Sequence, residues 1–154
     1  MKKISNKIVI GAFLVIALFI FYIIVKPSNY IENDEKIQIK DFDFQMSEGS
    51  YRFNSIITVP FTLTNLKDEN QELKPSESFK LIGDGKEIPM IEIGSTPDRV
   101  DIMTVGPEAI MLMDMKFETN EVIDEYILQV RDKKLFKDKL YEFDITEDIK
   151  KFGR

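Results

Sequence analysis

The sequence predicts an all-β, antiparallel sandwich of about seven strands, carried behind a single N-terminal transmembrane helix. Three observations lead there. An uncharged apolar stretch runs from Ile8 to Val25. Beyond it, residues 36–146 alternate apolar and polar side chains in short runs, punctuated by Gly, Pro, Asn and Asp. No long pattern of 3.6-residue period interrupts these runs, so strands are the reading that periodicity favours.

The first element is the anchor. Ile8 to Val25 reads IVIGAFLVIALFIFYIIV, eighteen residues without a charge. In lipid every backbone amide must be paired within the segment, which leaves a continuous helix. At about 1.5 Å per residue such a helix spans roughly 27 Å, slightly less than a hydrocarbon core of about 30 Å. Lys2, Lys3 and Lys7 precede it and Lys26 alone follows before the chain turns acidic at Glu32. This asymmetry places residues 1–7 in the cytoplasm and the rest outside it, in the cell membrane as a single-pass protein. Pro27 ends the helix. A cleaved secretory signal is the competing reading, but its apolar core is shorter and needs a small-x-small cleavage site, whereas this stretch runs into FYIIVKPSN.

Residues 26–35 are then a polar stalk, residues 36–146 the extracytoplasmic domain and residues 147–154 a tail, either a short helix or frayed. Within the domain, Ile37 and Ile39 alternate with charges, then Phe42, Phe44 and Met46 alternate out of phase with them, which predicts a β-bulge at Lys40 and Asp41. Glu48-Gly49-Ser50 is a turn. Phe53 to Asn65 reads as one strand, with Ile57, Val59, Phe61 and Leu63 on one face and Thr58, Thr62 and Thr64 on the other. Pro60 lacks an N–H, so it belongs at an unpaired edge or a bulge. Residues 78–83 and 88–93 are apolar runs joined by Asp84-Gly85-Lys86-Glu87, a hairpin turn signal. Residues 100–105, 109–118, 126–131 and 140–145 supply the later strands, the second after Gly106-Pro107. Residues 132–139 form a charged connection.

After the first 25 residues the chain holds 18 basic and 27 acidic side chains, a formal charge of −9. Such a surface repels phosphate backbones, which excludes nucleic acid as a partner. There is no cysteine, so the core must hold the domain without disulfides. Histidine is also absent. The usual general base, the thiol nucleophile and the two commonest zinc ligands are therefore missing, and no cofactor is expected.

The anchor, the Phe61-Thr-Leu-Thr-Asn65 strand end, the hairpin at Asp84-Gly85-Lys86 and the strand after Gly106-Pro107 together resemble the immunoglobulin-like ectodomains of bacterial membrane-anchored surface proteins and lipoproteins. That resemblance covers about 110 residues and implies an immunoglobulin-like sandwich with adhesion, binding or accessory roles. It supplies no catalytic residues to carry over. Its members commonly hold a lipobox cysteine or a cleavable signal, which this chain lacks. The lysine-rich composition, 17 Lys against 4 Arg, resembles proteins of AT-rich bacterial genomes.

Four chemistries remain for the domain. A non-enzymatic binding or accessory module of the bacterial envelope is the leading expectation, its partners being the lipid bilayer through residues 8–25 and an envelope protein or cell-wall polymer. A hydrolase of envelope polymers would need two converging carboxylates, which no spacing here singles out. Glu118, Asn120, Glu121, Asp124 and Glu125 cluster in one segment with oxygen ligands suited to calcium, but without EF-hand spacing. Met111, Met113 and Met115 share one strand face and offer three thioethers for Cu(I), although a buried strand face requires the same alternation. If that face is core, Ile110 and Leu112 point the other way, beneath a loop or into an exposed apolar patch.

Overall fold

The computed structural model describes residues 31–32, 34–94, 102–133 and 138–152; the apolar stretch at residues 8–25 lies outside them. Among the described residues no helix is long and apolar enough to cross a membrane. They form an antiparallel β-sandwich of twelve strands, more than the sequence predicts, because several runs that read as one strand are folded in two.

The chain begins with a hairpin of β1 (Lys36–Ile39) and β2 (Phe42–Met46), in which Ile39 faces Phe42. The predicted bulge is instead the two-residue turn Lys40-Asp41, with Lys40 at φ 52°. Residues directly opposite in a ladder point to the same side. Ile39 and Phe42 therefore both reach the core across a chain reversal, and the slip in phase marks a turn.

The predicted 53–65 strand is likewise folded in two. It breaks at Asn54 (φ 56°), where β3 (Tyr51–Phe53) folds back onto β4 (Ile56–Asn65). The short β2 and β3 share one edge of β4, pairing with Phe61–Asn65 and Ile56–Thr58 respectively. Pro60 sits between them and its carbonyl accepts the Ser47 N–H at 2.9 Å. A proline is tolerated there because no ladder bond at that point asks for its missing donor.

Along the other edge of β4 runs β10 (Ile110–Glu118), paired over its whole length, and β8 (Met90–Ile93) follows beyond it. The first sheet thus has the order β1-β2-β4-β10-β8, with β3 beside β4. The second has the order β12 (Lys139–Asp144), β11 (Tyr126–Asp132), β6 (Phe79–Gly83), β7 (Lys86–Ile88). The hairpin at Asp84-Gly85 forms as its turn residues dictate, with φ 47° and 79°. The run from residue 88 to 93 does not stay in that hairpin. Pro89 cannot donate to the ladder, and there the chain leaves β7 and crosses to the first sheet as β8.

The sequence leaves two elements unassigned: β5 (Gln71–Leu73), which pairs with β9 (Met103–Val105), and one turn of helix, α1 (Pro75–Ser78). The tail forms α2 (Thr146–Phe152), which packs against β3. Four rings tie the sheets together. Phe44 of β2 lies 5.5 Å from Phe61 of β4, 5.4 Å from Phe79 of β6 and 5.8 Å from Phe143 of β12, centroid to centroid. Asn65, almost fully buried, clamps one end: its Nδ2 donates to the carbonyls of Glu69, Val105 and Gly106, and its Oδ1 accepts the Lys67 N–H.

Candidate functional site

On β10 the two-residue period sends Met111, Met113, Met115 and Phe117 inward over β4's Leu63, Phe61, Val59 and Ile57. Met115 and Phe117 are completely buried, while Met111 and Met113 are half-buried against the core. The methionine face is therefore core packing. Its three thioethers are divided: Met111 and Met113 border a hollow of about 810 Å³ together with Met103, and Met115 is walled off from solvent.

The alternate residues Ile110 and Leu112 project from the outer face of the first sheet and are 72% and 76% exposed. No loop among the described residues covers them. They oppose Thr64 and Thr62 of β4, whose side chains are short. Among the described residues the edge of β10 beside them has no partner strand. Pairing with β8 begins at Met115, and the last bond on that side runs from the Gly94 N–H to the Asp114 carbonyl at 2.8 Å. From Ile110 to Met113, no described strand lies on the side away from β4.

At the other end of the same face Tyr51, Phe53, Ile56, Ile91 and Phe152 line a groove of about 710 Å³. Phe53 is 65% exposed and Phe152 49%. Lys116 crosses the groove floor and is held by both Glu92 oxygens at 3.0 and 3.1 Å. The walls are held from behind by Arg52, whose guanidinium donates to the carbonyls of Asn54, Thr119 and Glu121 and to the Tyr126 hydroxyl, all within 2.9–3.0 Å.

A narrower cleft of about 260 Å³ opens between the sheets where β7 passes into β8. Two carboxylates border it, Glu87 and Glu92, and each is ion-paired to a lysine of the neighbouring strand, Lys80 and Lys116. The acidic segment is likewise occupied with structural bonds. Asp84 accepts the N–H groups of Asp124 and Glu125 at 3.0–3.3 Å, and Lys86 lies 3.6 Å from Glu121. Among the described residues no three acidic groups are placed to hold a metal ion. Glu77 of α1 is held below its ordinary range, chiefly by the hydrogen bond from Lys133 and also by the charges of Lys133 and Lys74.

Comparison with solved structures finds bacterial proteins of similar fold. A candidate lipoprotein of Bacillus subtilis superposes with a TM-score of 0.55 over 79% of this chain at 14% identity. The fold is shared. The chain spans 41% of that protein's length, so the likeness concerns one part of it. A β-sandwich protein of Clostridium difficile gives a TM-score of 0.49 at 12% identity, covering 77% of this chain and 94% of its own. The yjhA protein of Bacillus subtilis gives 0.47 at 12% identity, covering 73% of this chain and 98% of its own. No family model matches the sequence, and no curated protein matches it.

The sequence isolates Ile110 and Leu112 correctly as residues facing away from the methionines, because a strand's period fixes that opposition. It misses the aromatic groove. Tyr51, Phe53, Ile91 and Phe152 belong to three elements far apart in the chain, and only the return of β3 onto β4 and the docking of α2 bring them together.

Proposed function

We propose that the chain is a membrane-anchored, extracytoplasmic, non-enzymatic binding or accessory module of the bacterial envelope, an immunoglobulin-like domain held by the helix at residues 8–25. The observation that supports the binding role is the exposed pair Ile110 and Leu112, beside which no described strand lies on the side away from β4. Two large aliphatic side chains, each more than seven-tenths exposed, stand side by side on a strand that pairs with β4 but has no described strand on its other side from Ile110 to Met113. A partner segment in extended form would add to that edge through main-chain bonds and cover Leu112 with an alternate side chain. The anchor confines the domain to a surface, which raises its effective concentration toward other envelope proteins.

The test is a photo-crosslinking amino acid placed at Leu112 and, as a control, at Val122, which is exposed in the 119–125 loop. In intact cells position 112 is expected to yield a discrete adduct with an envelope protein that position 122 does not. Equal labelling at both positions, or none at 112, overturns the assignment of this edge.

A further inference from the structure

We infer that the aromatic end of the first sheet, Tyr51, Phe53 and Phe152, rests on the lipid bilayer that anchors the chain, so that Ile110 and Leu112 at the far end of the same face point away from it. This rests on the proposed anchor at residues 8–25.

The tether is short. The apolar stretch ends at Val25 and the described fold begins at Ile31, so only residues 26–30 lie between them. Six Cα steps reach at most about 20 Å when fully extended. Ile31 is already fixed to the domain, its N–H donating to the Glu142 carbonyl at 2.9 Å, and the Asp34 carbonyl accepts from the Gln45 side chain at 2.9 Å. A domain on so short a lead stays within one domain diameter of the headgroups.

The place where the chain enters decides which end is nearest. Asp34 borders a shallow depression together with Glu48, Asp148, Lys151 and Phe152. The entering chain thus passes the depression that α2 also borders, beside the groove that Phe152 shares with Tyr51 and Phe53. Three exposed rings in one place are costly in water and suited to the interface, where an aromatic body meets apolar tails and a tyrosine hydroxyl stays wet. Asp34, Glu48 and Asp148 stand at the same end, so the contact is made by rings rather than by attraction to anionic lipid.

The register fixes the other end. Phe53 opposes Ile56, and Leu112 opposes Thr62, six residues farther along β4. At about 3.3 Å per residue this separates them by roughly 20 Å. A domain that stands on its aromatic end holds Leu112 clear of the headgroups and open to a partner.

Because the chain has no cysteine, single cysteines introduced at chosen sites report unambiguously. The full chain is reconstituted in phosphatidylcholine vesicles, and again with phosphatidylglycerol added. A nitroxide is attached in separate variants at Ile16→Cys, Phe53→Cys, Phe152→Cys and Leu112→Cys. Collision with oxygen, which concentrates in the bilayer, is compared with collision with a water-soluble nickel chelate. The oxygen-to-nickel ratio is expected to be highest at 16, intermediate at 53 and 152, and lowest at 112, in both lipids. Adding Phe53→Glu is expected to shift the label at 152 toward the value at 112. A membrane value at 16 with aqueous values at 53 and 152 overturns the resting contact and leaves the anchor standing. An aqueous value at 16 removes the anchor, and the contact with it.

Discussion

Asn65 shows how one side chain organises a fold end. Buried carbonyls must find donors, and its side-chain amide serves three of them, Glu69 in the 66–70 loop, Val105 at the end of β9 and Gly106 just after it, while its oxygen closes the 66–70 loop on the Lys67 N–H. Asn65→Ala strands those groups and is expected to lower unfolding free energy by about 2 to 4 kcal/mol, read from guanidinium unfolding followed by circular dichroism. Its role was half legible: Asn65 and Gly106-Pro107 stand out separately in the sequence, but no spacing reveals that they are bonded. Glu77 offers a residue with a pH signature. Its carboxyl is held below 4.5, first by the hydrogen bond from Lys133, so the folded state favours the charged form. The stabilisation is present above the unfolded value and is lost as pH falls through the depressed folded one. Both partners are well exposed, and water and salt screen the pair strongly. The expected readout is therefore a carboxyl NMR titration of Glu77 with its midpoint below 4.5, moving up toward 4.5 in Lys133→Met.

At the scale of elements, β4 is the spine, and what it touches explains why its two faces diverge. Its inner residues meet β10's methionines and Phe117 and look across at Phe79 of the second sheet, 5.7 Å from Phe61. Its outer threonines leave Ile110 and Leu112 uncovered. Phe44→Ala removes the ring that bridges β2 to both β6 and β12, and is expected to cost about 3 to 5 kcal/mol. Leu112→Ala, by contrast, is expected to stay within about 0.5 kcal/mol, since the side chain is already 76% exposed. Thermal unfolding of the two variants beside the parent chain separates the roles. Alternation made β1, β2, β4, β10, β11 and β12 readable with boundaries close to those observed. The breaks were harder: Asn54-Ser55 looks like strand in a run of apolar neighbours, and Pro89 looks like an interruption within one hairpin rather than a crossing between sheets.

For the whole molecule, the amino-acid sequence alone determines that strands must build the domain, that no disulfide staples it, that the inward face of each long strand is apolar, and that Ile110 and Leu112 oppose the methionines. These follow from local rules, namely the period of two, the missing N–H of proline, the positive φ of Asp84-Gly85 and the count of cysteines. Which strands are neighbours is set by long-range packing. The four phenylalanines come from β2, β4, β6 and β12, and β10 reaches β4 across the intervening residues 66–109 only because both bury the same kind of face. The exposure of Leu112 and the aromatic groove of Tyr51, Phe53 and Phe152 are products of that packing. Exposure depends on which elements pack alongside, and a groove on side chains that meet only after the chain has returned, so neither is written in any local stretch of the sequence.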